Sequence, residues 1–270
     1  MNNNNKKERE KDEENSNIER LQSMFDKEVN QYQINFNLEL WYLPYRLKLV
    51  DWIFDKVDKP PFNISTLSAH IAVFYLDRIL SSYQVFPKQL QLIASSCILI
   101  AAKMEEKDDE DFPTFQTLVE TCNGIYSVRQ FNQMEIEILY FFNWKMNVVT
   151  VLHFLGYFSP FIFDIETDLL DNNKVISLES FKIIERRLIG FSQFFGDFCL
   201  QHYEFTKFKH SAIAATCIFL SRKELNISPI WSDILSHYTT YTQPEIQEII
   251  DLLLHFYSKV QKTNKKTIVK

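Results

Sequence analysis

The chain has 270 residues, of which 46% are hydrophobic, 24% charged and 15% aromatic, a composition typical of a globular protein with one large or two modest domains. It contains only four glycines, about 1.5% against a usual ~7%, which excludes the glycine-rich phosphate-binding loops and favours long helices with short connections. The net charge of −6 argues against sequence-independent binding to nucleic acid, which needs a basic surface.

Apolar residues recur at helical spacing along most of the chain, and proline or polar clusters separate the periodic segments. The sequence predicts a disordered tail over 1–17, an N-terminal helix within 18–34 and a second tail over 261–270. Further helices are predicted over 45–57, 65–82, 87–103, 113–122, 127–142, 149–157, 178–202, 207–223, 229–237 and 244–259. The sequence predicts that three prolines lie in the first turns of helices, namely Pro87, Pro113 and Pro244. The N–H that proline lacks would make no hydrogen bond within the helix at that position. Strand signals are weak.

Two segments 120 residues apart are similar to each other. Residues 93–103 and 213–223 share Ile, Ala, Cys, Ile and Lys at corresponding positions and are apolar almost all round, as expected of helices enclosed by their neighbours. This similarity predicts a duplicated helical domain, with one bundle over 35–147 and a second over 148–260. The alternative is a chance match, because Ile, Ala and Leu dominate buried helices in general.

The segments 45–52, 70–78, 90–92, 101–106 and 134–139 resemble, in this order, the cyclin box. They include the five positions by which cyclins are usually recognised, namely Arg46, Asp77, Leu92, Lys103 and Glu135. Residues 203–215 are similar to the matching helix of the C-terminal cyclin fold, and 103–111, 200–205 and 228–231 resemble the cyclin J subfamily. The resemblance implies an all-α fold of two tandem five-helix bundles preceded by an N-terminal helix.

The resemblance also implies a partner, a cyclin-dependent protein kinase bound as a heterodimer. In cyclins the equivalents of Lys103 and Glu135 reach the kinase backbone, and the surrounding residues implied here are Met104, Glu106, Leu139, Trp144 and Met146. From the residues alone, the favoured interpretation is that Lys103 and Glu135 are solvated side chains, with Lys103 stabilised at the C-terminus of its helix. A fully exposed Trp and two exposed Met would be unusual, so we expect these side chains to be buried in the core or in an interface.

Two further groups of residues follow from the resemblance. Arg46 and Asp77 are expected to form an internal ion pair with a structural role. The patch that captures Arg-x-Leu peptides of substrates or inhibitors in many cyclins corresponds to Tyr45, Lys48, Leu49, Trp52 and Gln91. Because Lys48 would repel the arginine of such a peptide, the sequence predicts weak or altered docking. The alternative is that Lys48 turns aside and leaves the patch functional.

Enzymatic functions have little support. The six histidines show no zinc-binding spacing and no Gly-x-Ser-x-Gly motif is present, so we expect no catalytic residues, metal or cofactor. Four cysteines without Cys-x-x-Cys spacing are expected to be reduced thiols. The longest near-apolar stretch, 92–102, is too short to span a bilayer, and we expect an intracellular protein of the nucleus or cytoplasm. A cyclin-fold adaptor or scaffold without kinase activation is the alternative function.

Overall fold

The structure, a computed structural model, describes residues 2–31, 37, 40–57, 59–106, 113–170 and 178–268. Most of the acidic run at 105–111 therefore lies outside the described residues. An N-terminal helix, α1 (Asn2–Asn30), precedes the first bundle, which consists of α2 (Leu43–Val57), α3 (Thr66–Ser82), α4 (Leu90–Glu105), α5 (Phe115–Thr121) and α6 (Val128–Phe141). The second bundle consists of α7 (Val151–Phe158), α8 (Leu178–Gln201), α9 (His210–Glu224), α10 (Asp233–Thr239) and α11 (Gln243–Ile268).

Besides the α-helices, the described residues contain little regular structure. Two strands, β1 (Leu169–Leu170) and β2 (Ile227–Ser228), pair antiparallel with Leu169 opposite Ser228. Short 3₁₀ turns cover Pro87–Gln89, Ser159–Phe161 and Tyr203–Lys207. The predicted all-α fold of two tandem five-helix bundles with an N-terminal helix is confirmed.

Helices α4 and α9 are the buried centres of the two bundles. Residues 92–102 of α4 and 211–222 of α9 are all buried, and they include most of the two similar segments found in the sequence. Helix α4 packs against α2, α3 and α6, and α9 packs against α7, α8 and α11. Alanines such as Ala94 and Ala214, both fully buried, allow the neighbouring helices to approach closely.

Several helices begin later than predicted. Helix α5 begins at Phe115, because the Thr114 hydroxyl accepts a hydrogen bond from the Thr117 N–H at 3.1 Å and caps the helix. Helix α10 begins at Asp233 behind the cap Ser232. The predicted starts at 113 and 229 are therefore wrong, since a hydroxyl cap satisfies an otherwise unbonded N–H of the first turn and proline does not.

The two terminal helices are longer than predicted. Helix α1 begins at Asn2 and α11 ends at Ile268, so most of the predicted tails 1–17 and 261–270 are helical. The N-terminal tail contains four Glu and three Lys and the C-terminal tail four Lys, and both residue types have high helix propensity. Apolar periodicity carries no information on such polar turns.

Helix α1 packs on the second bundle. Leu21, Met24 and Phe25 contact its hydrophobic core, and the Phe25 ring lies 5.5 Å from that of Phe154. The first hydrophobic core contains buried residues from 42 to 148 together with Tyr203, and the second contains those from 149 to 253. Tyr203 of the second half therefore packs into the first core and joins the two bundles.

The four cysteines are buried free thiols. Among the described residues there is no cluster of three potential metal ligands. None of the helices searched is both long and apolar enough to cross a bilayer.

Candidate functional site

Lys103 and Glu135 meet at the surface of the first bundle. Lys103 lies in the last turn of α4 and Glu135 in the middle of α6, and the Lys103 Nζ is 2.7 Å from Glu135 Oε1. Their side chains are 38% and 14% exposed. A partly exposed pair of this kind contributes about 1 kcal/mol or less to stability, so a partner can engage both groups at little cost to the fold.

Exposed apolar side chains occur on the same two helices. Met104, next to Lys103, is 46% exposed, and Trp144, just after α6, is 63% exposed. Leu139 is half-buried against the first core. Trp144 has φ 62°, a left-handed conformation that is uncommon for a bulky residue. The exposure of Trp144 contrasts with the rarity of fully exposed tryptophan in folded proteins.

Sequence reasoning missed two further apolar residues of this surface. Tyr140 is 66% exposed, and its ring packs edge-on against Trp144 with centroids 6.0 Å apart. Ile136 is also exposed, one turn before Tyr140. Ile136 and Tyr140 lie four residues apart within α6, and this helical spacing is the signal that would have identified them. We call this set of residues the α4–α6 surface, which consists of Lys103, Met104, Glu135, Ile136, Leu139, Tyr140 and Trp144.

Two residues assigned to kinase contact from the resemblance have other positions in the structure. Met146 is only 5% exposed and belongs to the first core, and its carbonyl accepts a hydrogen bond from the Tyr75 hydroxyl at 2.5 Å. The Glu106 carboxylate accepts hydrogen bonds from the Ser65 N–H and the Ser68 hydroxyl, both at 2.8 Å, at the start of α3. We therefore exclude Met146 from the exposed surface and assign Glu106 a capping role.

Arg46 and Asp77 form a buried, bidentate ion pair between α2 and α3, with Arg46 Nη2 2.7 Å and Nε 2.8 Å from the carboxylate. Arg46 also donates hydrogen bonds to the carbonyls of Leu200 and Gln201, each at 3.0 Å. Burial opposes the charge of Arg46, but the attraction of Asp77 outweighs it and raises the pKa of the guanidinium. One arginine thus satisfies a carboxylate of the first bundle and the C-terminal carbonyls of α8 in the second.

A second buried ion pair lies in the second bundle. Arg222 of α9 contacts both oxygens of Asp168 at 2.6 and 2.8 Å, and both side chains are 1% exposed. Arg222 also donates to the carbonyls of Ile162, Pro229 and Ile230. Sequence reasoning did not identify this pair, although an arginine within an otherwise apolar helix was a usable signal.

The peptide-docking residues lie on α2 and α4. Tyr45 and Lys48 are exposed, whereas Leu49 and Trp52 are half-buried against the first core. Gln91 lies at the start of α4, which packs against α2. Lys48 is exposed on the same helix as Leu49 and Trp52, and its effect on peptide binding stays a prediction.

Comparison with known proteins identifies the family. Residues 16–147 match the family described as "Cyclin, N-terminal domain" and residues 149–270 match "Cyclin, C-terminal domain". The chain is 30% identical to Cyclin-J of Xenopus laevis over 198 residues, which are 72% of this chain and 50% of that protein. It is 29% identical to Cyclin-J of Homo sapiens over 211 residues, 76% of this chain and 52% of that protein.

A plant relative and a solved structure extend the comparison. Cyclin-B1-2 of Arabidopsis thaliana is 30% identical over 225 residues, 83% of this chain and 45% of that protein. The X-ray structure of a viral cyclin from herpesvirus saimiri superposes with a TM-score of 0.65 at 16% identity, covering 86% of this chain and 94% of that chain, which shows the shared fold. The chain spans about half the length of the curated relatives it matches.

Members of this family are regulatory subunits that bind cyclin-dependent kinases and are not themselves enzymes. The match of both halves to the two cyclin domains, and the similarity to cyclins J and B, show that this chain belongs to the cyclin family.

Proposed function

We propose that this chain binds a cyclin-dependent protein kinase as a heterodimer and activates it through the α4–α6 surface. The observation that carries the proposal is the Lys103–Glu135 pair, in which Lys103 is followed by exposed Met104; exposed Trp144 lies just after α6, the helix that carries Glu135. Lys103 offers a hydrogen-bond donor on a long side chain, and Glu135 offers an acidic acceptor. Both lie at the rim of exposed apolar side chains, as expected of a protein interface with an apolar centre and a polar edge.

Activation by such a surface is conformational. A protein kinase is active only when its mobile regulatory helix places a Glu against the nucleotide-binding Lys. A subunit that binds this conformation more tightly than the inactive one shifts the equilibrium by the difference in binding free energy. The regulatory chain needs an interface of matching shape and charge, and the reacting groups all belong to the kinase.

The proposal is tested by replacing Lys103 and Glu135 together with alanine and measuring the affinity for purified cyclin-dependent kinases, along with kinase activity. We expect the affinity to fall by about tenfold or more, because each substitution removes a charged group whose hydrogen bond to the kinase would contribute about 1.5–3 kcal/mol. The matched control replaces Lys207 and Glu248 with alanine. This pair has the same 2.7 Å separation but lies in the second bundle, and we expect the control to bind normally.

Two outcomes would contradict the proposal. If the double variant binds the kinase as tightly as the unmodified chain, the α4–α6 surface is not the contact. If the unmodified chain binds a kinase without raising its activity, the chain is an adaptor and not an activator.

A further inference from the structure

One face of helix α8 is exposed and carries large apolar side chains. Four of its residues recur at spacings of four, three and four positions, which places them on one side of the helix, namely Ile183, Arg187, Gly190 and Phe194. All four are exposed to solvent, and Ile183 and Phe194 are 55% and 46% exposed. The face extends over about 16 Å of the helix axis, the length of three turns.

The exposed apolar area continues beside this face. Phe191, the residue after Gly190, is 37% exposed. On α11, the ring of Tyr257 lies 6.1 Å from that of Phe194, and Val260, three positions later, is 41% exposed. Single exposed apolar residues are normal, whereas a group of them on one surface marks an interaction site. The exposed residues of α8 and α11 therefore indicate that a partner covers this surface.

Gly190 lies at the centre of this face, and no contact of the described residues accounts for it. Glycine within a helix is less favourable than alanine. A Cβ atom added at Gly190 would meet no atom within 4 Å outside the helix itself, and its φ does not lie in the left-handed region. The four positions that surround it on the helix are all exposed, namely Arg186, Arg187, Gln193 and Phe194. Gly190 therefore leaves a gap at which a second backbone can approach α8 closely.

The charged residues of this face are basic. Lys182, Arg186 and Arg187 are exposed, and none of them forms an ion pair with a side chain that the structure describes. No acidic residue lies three or four positions from either arginine, so α8 itself does not neutralise them. Exposed basic residues alone are ordinary on a protein surface. Beside an exposed apolar face, guanidinium groups, which bind carboxylates through two parallel hydrogen bonds, favour an acidic partner.

We propose that this face binds a short, acidic amphipathic helix of a partner protein. The apolar side chains of that helix would pack on Ile183 and Phe194, with its backbone close to Gly190, and its carboxylates would reach the two arginines. We call the proposed site the α8 surface, which consists of Ile183, Arg186, Arg187, Gly190, Phe191 and Phe194. It belongs to the second bundle, so the proposal does not rest on the α4–α6 surface of the first.

The test uses the full chain and three labelled synthetic peptides of sixteen residues. The first carries Leu at helical spacing among Glu and Ala, the second has Lys in place of Glu, and the third has Ala in place of Leu. Binding is measured by fluorescence anisotropy. We expect the first peptide to bind at least about tenfold more tightly than either other peptide. We also expect its affinity to fall as sodium chloride is added, because salt screens exposed charges.

Gly190→Gln tests the gap at the centre of the face. We expect this substitution to weaken binding of the acidic peptide by about fivefold or more, because the added side chain fills the gap. The melting temperature should not fall, since glutamine is a better helix former than glycine. The matched control is Gly156→Gln on α7, where a Cβ atom also meets nothing within 4 Å and the residue is exposed. The control should bind the peptide normally.

Arg186→Gln with Arg187→Gln tests the charges and should weaken binding by about fivefold or more. The control is Arg129→Gln with Lys145→Gln, which changes two exposed basic residues of the first bundle and should bind normally. Equal binding of the acidic and the basic peptide, or equal affinity of the Gly190 and Gly156 variants, would overturn the proposal. A dimer of the chain alone that Gly190→Gln abolishes would also overturn it, because a second copy would then be the occupant.

Discussion

Arg46 connects three parts of the chain through one side chain. Its guanidinium contacts Asp77 and the carbonyls of Leu200 and Gln201. Replacing Arg46 with Met would leave a buried carboxylate without its cation, and we expect the free energy of unfolding to fall by about 3–5 kcal/mol. Urea denaturation measures this loss.

The control for this prediction removes both partners of the pair. Arg46→Met combined with Asp77→Leu leaves no unpaired charge, and we expect it to recover part of the stability lost in the single variant. A loss of less than about 1 kcal/mol in the single variant, the value typical of an exposed pair, would show that the buried pair has no such role.

Lys48 is the residue at which the docking patch departs from the family pattern. It is exposed on α2 beside half-buried Leu49. Because its ammonium would repel the arginine of an Arg-x-Leu peptide, we expect Lys48→Ile to bind such a peptide more tightly, by about fivefold. Fluorescence titration with a labelled peptide checks this, and unchanged affinity would show that Lys48 turns aside.

At the scale of elements, Glu28 attaches α1 to α9. Its carboxylate is buried and accepts two hydrogen bonds from Ser211 at the N-terminus of α9. Glu28→Ala would leave the buried Ser211 N–H without a partner, and we expect a loss of about 1–3 kcal/mol in the free energy of unfolding. The exposed Glu19 on the same helix provides the control, and an equal effect of Glu19→Ala would contradict this role of Glu28.

The boundaries of the helices show which local sequence signals were sufficient to predict where a helix begins and ends. The central helices α4 and α9 were predicted correctly, because a continuous run of apolar residues such as 92–102 has to be buried in a globular protein. The start of α5 was missed because its N-cap is set by the hydroxyl of Thr114 and not by the neighbouring Pro113. The length of α1 was missed because its first turns carry polar side chains that give no periodic signal.

At the scale of the whole molecule, two partly buried histidines, His202 and His210, predict the pH dependence of stability. Burial lowers the pKa of His202 and of His210 in the folded chain, whereas in the unfolded chain both titrate near ~6.5. The unfolded state therefore binds more protons between the two pKa values. We expect the free energy of unfolding to rise with pH in this window and to fall as the pH drops below about 6.5.

Denaturation at several pH values tests this dependence. The variant His202→Gln with His210→Asn should flatten the slope of stability against pH between about pH 5 and 7. The control His237→Gln with His255→Gln changes two exposed histidines and should leave the slope unchanged. A slope that is the same in both double variants would exclude His202 and His210 as its cause.

The candidate site was only partly predictable from the sequence. The structure brings Lys103 and Glu135 together, and the contact of both residues with a kinase, which the family resemblance implies, stays a prediction. The burial of Met146 and the capping role of Glu106 were not predictable, because both depend on where α3 lies relative to the ends of α4 and α6. Residue type alone does not distinguish an exposed methionine from a buried one.

The amino-acid sequence by itself determined the all-α class, the two buried central helices and the resemblance to the cyclin family, because periodicity and motif order are properties of short segments. Only the tertiary structure decided how the bundles meet. Arg46 contacts the carbonyls of Leu200 and Gln201, His70 contacts Asp197, and Glu28 contacts Ser211. These partners lie more than 100 positions apart in the chain, so the packing of the helices, and no local sequence pattern, creates these contacts.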